Sequence, residues 1–369
     1  MPIKPRQSLL NITPYKAGDA KIDGFKRVIK LASNESPIGP SPKAVAAAKK
    51  AIDAGLHLYP DPSCAELRAA IGEIHGLDPQ QIICSNGSEE LLHLLARAYA
   101  SDGDEIIYCQ YGFIAYPITI HAAGAVPVMV PEENYTANVD AMLAAVTPKT
   151  KIVNLANPNN PTGTYLAKDE VQRLRDGLRD DILLVLDAAY AEYVDKTDYD
   201  AGLALVDNMA KRGMDNTIVT RTFSKIYGLA GARVGWAYGP LSVLDILHRI
   251  RGSFNVTAPS QAAAIAAVRD QGHLARARAH NLIWLPKMSG ALEKLGLMIT
   301  PSQGNFILAH FPGGAEQSSA ANLFLRQQGI ITRPVNNYDL AQALRITIGT
   351  DKENEALITA MTAFFAHIR

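Results

Sequence analysis

The sequence predicts an α/β fold in which a mostly parallel sheet carries helices on both faces and a smaller α+β domain follows. Two observations predict it. Between Ile82 and Arg221, short apolar runs alternate with helix-like segments, the pattern of strands joined by helical crossovers in a sheet covered on both sides. After about Gly252 the rhythm changes to a long alanine-rich helical stretch, then short strands and a last helix. The length of 369 residues suits two or three domains, at roughly 100–200 residues each.

Taken in order, the first ~35 residues lack strong periodicity and read as an extended arm. Ser41 followed by Pro42 and an Ala/Lys-rich run predicts a capped helix over Pro42–Ala54. Strands are expected at Ile82–Cys84, Glu105–Tyr108, Val126–Val130, Lys151–Leu155, Ile182–Leu186 and Thr217–Arg221. The intervening helices are expected at Glu89–Tyr99, Tyr116–Ala123, Val139–Ala145 and Lys168–Leu178. One long helical stretch is expected from Pro259 to about Leu295. Strands at Asn305–Leu308, Ile330–Arg333 and Leu344–Ile348 and a closing helix at Lys352–Ile368 complete the chain.

Bulk properties remove several classes of function. Lys plus Arg equals Asp plus Glu, 36 each, for a formal net charge of zero. No basic excess points to nucleic acid, and no acidic tail is present. Three cysteines, Cys64, Cys84 and Cys109, form no CxxC pair and no disulfide framework, which fits a reducing cytoplasm. Met1–Tyr15 carries positive charge without an apolar run, so no secretory signal is expected. No uninterrupted apolar stretch reaches about 18 residues, so no membrane span is expected either. His75, His93 and His121 are scattered without metal-ligand spacing, and no metal is expected. Arg269, His273, Arg276 and His280 share one face of the long helical stretch and read as a solvated face.

The informative segments fall at the C-terminal ends of expected strands, where open α/β sheets bind ligands. Thr222-Phe223-Ser224-Lys225 places a lysine after an apolar strand among small and aromatic residues. Partial desolvation there would lower its pKa and let it attack an aldehyde. Arg233 follows within a Gly-rich segment, and hydroxyls with a guanidinium make an anion site. Asp187 ends the apolar run Ile182–Leu186. A part-buried carboxylate needs a cation or a protonated ring nitrogen, although an aspartate there also serves as a helix N-cap. Tyr190, three residues on, can donate to a neighbouring ring oxygen. Asn157-Pro158-Asn159-Asn160-Pro161-Thr162-Gly163 dictates a rigid turn that either only turns the chain or holds Asn157 against a ligand. Gly87 and Ser88 link a strand to a helix, as a phosphate site or as an ordinary cap. Tyr111 can stack on a planar ring or pack in the core.

Together these segments resemble the class I and II aminotransferases of fold type I, which use pyridoxal phosphate (PLP). The resemblance covers nearly the whole chain. Its strongest carriers are Asn157–Gly163, Asp187-Ala188-Ala189-Tyr190, and Thr222–Lys225 with Arg233. Within that family the sequence looks most like the histidinol-phosphate aminotransferases, through Leu31–Pro37, Tyr59-Pro60-Asp61-Pro62, Gly304-Asn305-Phe306 and Leu344–Thr350.

The resemblance implies a seven-stranded-type sheet in a large PLP-binding domain over 36–270 and a small domain over 271–369. The arm, 1–35, would pack with the small domain or a partner subunit. It implies Lys225 as the amine that bonds the cofactor and then moves the substrate's α-proton. Asp187 would pair with the pyridine nitrogen, Asn157 and Tyr190 would bind the ring oxygen, and Tyr111 would stack on the ring. Gly87, Ser88, Thr222, Ser224 and Arg233 would hold the phosphate, with Tyr59 arriving from the partner of a homodimer. Arg345 would clamp the substrate carboxylate with Asn34 over it, Arg333 would meet its far end, and Tyr15 is a looser candidate at the mouth. The implied reaction moves an amino group between L-histidinol phosphate and 2-oxoglutarate. The Arg333-Pro334-Val335 segment also occurs in relatives that take phenylalanine or tyrosine, and a phospho-amino-acid decarboxylase shares the fold. Ala188 stands where the motif often has Glu, at a position that is not the ring partner.

Overall fold

Local signals set where the helices begin. In the computed structural model, which describes residues 3–14 and 18–367, the Ser41 side chain accepts from Lys43 N at the start of the helix Pro42–Gly55, whose first residue is proline. Asn138 and Thr257 cap Val139–Ala144 and Ala258–Arg269 in the same way.

Seven strands form one sheet in the order Ile82–Ser85, Gly235–Tyr238, Thr217–Thr222, Leu183–Asp187, Thr150–Ala156, Glu105–Cys109, Val126–Val130. Only Gly235–Tyr238 runs antiparallel to its two neighbours. Every position of Leu183–Asp187, Thr217–Thr222 and Gly235–Tyr238 is buried, as central strands covered on both faces require. Period-2 alternation sorts their side chains into two cores. Leu184, Leu186 and Val219 join one cluster, and Leu183, Val185 and Ile218 join the other. Each such aliphatic side chain contributes roughly 1.5–3 kcal/mol on burial.

A second, four-stranded antiparallel sheet follows in the order Arg333–Val335, Leu340–Thr347, Phe306–His310, Met298–Thr300. The helices Gln271–Glu293, Gly314–Gln327 and Asp351–His367 share a core with it, built on Trp284, Met288, Leu325, Ile346 and Phe364. Ile29–Lys30 pairs in parallel with Ile330–Ile331, so part of the N-terminal arm is stitched to the C-terminal half.

Three expectations need correction. The long helical stretch is two helices broken at Asp270, whose side chain instead accepts from Ser41 Oγ (2.5 Å) and Lys43 Nζ (3.3 Å). The segment Ile330–Arg333 is divided between two sheets. The Arg/His face is not simply solvated: His273 is buried and donates to Gly39 O, His280 donates to Gly349 O, and Arg269 pairs with Glu73. His273 and His280 tie the second helix to the two halves of the chain, a pairing that helical spacing alone does not display. No described helix is long and apolar enough to cross a membrane.

Candidate active site

The sheet's direction gathers the chemistry on one edge. Parallel strands deliver Ser85, Cys109, Ala156, Asp187 and Thr222 to that edge at their C-terminal ends. The antiparallel strand starts there, so Arg233, two residues before it, arrives at the same place. Register fixes the spacing: Ala156 lies opposite Asp187, Asp187 opposite Thr220, and Gly235 opposite both Ser85 and Thr222. A cavity of about 300 Å³ opens above this edge. Lys225, Asp187, Tyr190, Asn34, Ser88, Thr222, Ser224, Arg233, Arg333 and Arg345 all line it.

Lys225 stands in a tight loop closed by Gly228 N donating to Lys225 O and anchored by fully buried Phe223. Its Nζ lies 5.5 Å from the Tyr190 ring centroid, within cation–π reach. Asp187 is buried, and its carboxyl accepts from Tyr116 Oη at 3.2 Å and Thr220 Oγ1 at 3.3 Å. Burial pushes its pKa up to about 6, against the pull of the two hydroxyls and the Lys225 charge. Two neutral donors only partly offset the cost of a buried carboxylate, so this site suits a cationic ring nitrogen. Asn34, at φ 55°, donates from Nδ2 to Tyr190 Oη at 2.9 Å. Thr347 holds Asn34 in turn, accepting from its N and donating to its Oδ1. Tyr190 Oη therefore accepts one bond and keeps its own proton for a second.

A cradle for an anion lies at the start of the 12-residue helix Ser88–Tyr99, beside Arg233 and Ser224. Arg233 Nη1 donates to Ser224 Oγ at 3.2 Å. Gly87, at φ 79°, admits the guanidinium, because a Cβ there would come within 2.3 Å of Arg233 Nη2. A Cβ on Gly235 would come equally close to Ser88 N. Both glycines are thus required by close approach. Across the cavity Arg345 donates to Asn160 Oδ1 and Ala32 O, and its guanidinium carbon lies 5.6 Å from the Phe306 ring centroid.

Asn157 is not where the sequence reading places it. Its side-chain amide is occupied by backbone: Nδ2 donates to Leu166 O at 3.1 Å and Oδ1 accepts from Leu166 N at 2.8 Å. Asn160, three residues on, lines the cavity instead. Tyr111 packs 5.7 Å from the Tyr135 ring, and Phe113 and Ile114 line the cavity. Gly87 acts from behind Arg233. Tyr59 is 81% exposed and stacks on Phe254 at 4.4 Å. Tyr15 lies outside the described residues. The reading missed Tyr116, Thr220 and Tyr338. Burial pushes the Tyr338 phenol up to about 12, and its Oη accepts from Ile114 N. Nothing in apolar periodicity marks these three. Asn160, by contrast, was visible within the same turn motif. Among the described residues no group of three or more His, Cys, Asp or Glu side chains gathers to hold a metal.

A buried carboxyl, a lysine and an anion cradle on the C-terminal edge of a doubly covered sheet define an enzyme that binds a phosphorylated ring cofactor. The family model for class I and II aminotransferases matches residues 26–361, and the chain belongs to that family, whose cofactor is pyridoxal phosphate. The chain is 51% identical over 361 residues to the histidinol-phosphate aminotransferase of Paramagnetospirillum magneticum, covering 98% of each chain. It is 50% identical over 364 residues to that of Rhodospirillum rubrum, covering 98% of this chain and 97% of the relative. The crystal structure of the histidinol-phosphate aminotransferase from Sinorhizobium meliloti, in complex with pyridoxal-5′-phosphate, matches with a TM-score of 0.86 at 28% identity. That match covers 93% of this chain and 92% of the other.

Proposed function

We propose that this chain transfers the amino group of L-histidinol phosphate to 2-oxoglutarate, with pyridoxal phosphate as its cofactor. The observation that carries the reading is the pairing of one anion cradle at Arg233 with two further guanidinium groups, Arg333 and Arg345, in the cavity that holds Lys225. One cofactor phosphate needs the first; a substrate anionic at its far end needs the others. The named activity of relatives about half identical over nearly the full length supports this choice of substrate.

When bound, the cofactor supplies an electron sink for the substrate's Cα–H bond. Lys225 Nζ would hold the cofactor's aldehyde carbon and would carry the substrate's α-proton. Asp187 would pair with the ring nitrogen. Tyr190, oriented by Asn34, would donate to the ring oxygen. Ser88, Thr222, Ser224 and Arg233 would hold the phosphate. Arg345 takes the carboxylate of glutamate, and Arg333 and Arg345 together accept the phosphate of the other substrate, since both anions take paired hydrogen bonds.

The reading includes a division near residue 270 into a large and a small domain, with the arm against the small one. It also includes a cytoplasmic homodimer in which Tyr59 reaches the partner's cofactor phosphate. The exposure of Tyr59, stacked on Phe254 beside exposed Leu56 and Leu58, supports the shared site. Three free cysteines suit a reducing compartment.

The test is a steady-state assay on PLP-loaded protein comparing L-histidinol phosphate, L-phenylalanine and L-tyrosine as donors to 2-oxoglutarate, with Lys225→Ala as control. The expected result is a strong preference for histidinol phosphate and no turnover by a folded Lys225→Ala. Equal or better turnover of the aromatic donors would overturn the substrate. Continued release of CO2 from a carboxylate-bearing substrate without an oxo-acid acceptor would indicate decarboxylation.

A further inference from the structure

Behind the cavity wall, Glu132 meets Asn159. Glu132 follows the edge strand Val126–Val130, and Asn159 sits inside the turn that carries Asn160. Glu132 Oε1 accepts from Tyr111 N at 3.0 Å and lies 3.5 Å from Asn159 Nδ2. Asn159 Nδ2 also donates to Tyr111 O at 3.0 Å and Thr162 Oγ1 at 3.1 Å, which fixes which end of the amide is nitrogen. The other halves of the two groups, Glu132 Oε2 and Asn159 Oδ1, are buried with no hydrogen-bond partner among the described residues. Two buried acceptors left without partners are each costly. A proton on Oε2 makes one of them a donor that can bond the Asn159 amide oxygen, while the two amide hydrogens stay on Tyr111 O and Thr162 Oγ1.

We propose that Glu132 is protonated in the working enzyme and pairs with the Asn159 amide, a positioning residue that locks two cavity-wall segments together. One is residues 111–114, which present Phe113 and Ile114. The other is the turn whose Asn160 holds Arg345. The titratable groups facing Glu132 are Cys109 and Tyr111, with Tyr135, His310 and Asp339 beyond Tyr111. Burial raises the Cys109 thiol and the Tyr111 phenol and lowers His310 to about 4, so all three are uncharged near neutrality and none offsets a carboxylate. Burial of the Glu132 carboxyl likewise pushes its own pKa up to about 7.

The experiment uses the PLP-loaded protein and two variants, Glu132→Gln and Glu132→Ala. Glutamine copies the protonated acid, with an N–H where the O–H stood. Glu132→Gln should keep amino transfer within ~2-fold near neutral pH, whereas Glu132→Ala should lose ~10-fold or more in kcat/KM. A carboxyl whose folded pKa is raised loses stability as pH climbs from its ordinary value of 4.5 through about 7. The Gln variant should therefore melt above the parent beyond that range, with the gap closing toward acid. Infrared difference spectra, parent minus Gln variant, should show a deuterium-sensitive protonated-carboxyl band at mildly acidic pH that fades at alkaline pH. Absence of that band, or the same pH dependence of melting in the parent and the Gln variant, would overturn the proposal. The kinetic arm alone rests on the proposed function; melting and infrared readouts stand whether or not histidinol phosphate is the substrate, and they need no folded Ala variant.

Discussion

Arg333 and Arg345 are direct cross-strand partners, Cα opposite Cα in an antiparallel pair, and both line the active-site cavity. Like charges placed so on a sheet disfavour folding, so the arrangement belongs to function before stability. It presents two guanidinium groups to the cavity. Arg345 is buried and donates to Asn160 Oδ1 and Ala32 O. Arg345→Ala should therefore cut kcat/KM for glutamate by ~100-fold or more, the scale of losing a buried charge-assisted clamp. Arg333→Ala should penalise histidinol phosphate more than a donor that lacks the phosphate. Steady-state kinetics with both donors check this, and unchanged glutamate kinetics in Arg345→Ala would mean that the carboxylate binds elsewhere.

Asp187 ties cofactor binding to pH. Its pKa of about 6, raised by burial, means that the cofactor-free chain holds a proton there which the unfolded chain releases near 3.8. Stability of the cofactor-free protein should thus fall as pH rises between those values, by on the order of 3 kcal/mol in total. Asp187→Asn removes that penalty and should melt higher than the parent above about pH 6. The same change should weaken PLP binding at every pH, because an amide cannot pair with a protonated ring nitrogen. In the parent, PLP affinity should decline below about pH 6 as Asp187 becomes neutral. Titration of cofactor absorbance against pH, alongside melting curves, measures both effects.

The fold was legible because the strands of the large sheet carry short apolar runs separated by helix-like segments. The strands at Val126–Val130 and Thr217–Thr222 lie where apolar runs put them. The strand Gly235–Tyr238 was not legible, since four residues beginning with glycine carry no periodic signal. The same limit applied to the site. Lys225 and Asp187 follow from strand ends and Arg233 from its Gly-rich segment, but Tyr116 reaches Asp187 from a helix whose apolar pattern is nearly uniform. Tyr111 and Phe113 are separated by a single residue in a loop, and no residue pattern tells which of two aromatic rings turns inward. Asn157 and Asn160 have identical side chains in one turn, and only the backbone path decides which amide meets the cavity.

That path yields a separation of roles between these two asparagines. Asn157 uses both ends of its amide on the N–H and C=O of Leu166, nine residues away, and closes the turn into a rigid bracket. Asn160 spends its Oδ1 on Arg345 and faces the cavity. Asn157→Ala leaves a buried donor and a buried acceptor on Leu166 unmatched, at about 1–3 kcal/mol each, and should lower thermal stability by several degrees. Asn160→Ala removes no such bracket and should melt close to the parent, while amino-transfer kcat/KM falls ~10-fold or more through loss of the bond that Asn160 Oδ1 accepts from Arg345. Melting curves and kinetics on the two variants separate the roles: loss of activity without loss of stability in Asn157→Ala would return that residue to the ligand, and full activity in Asn160→Ala would remove Asn160 from the site.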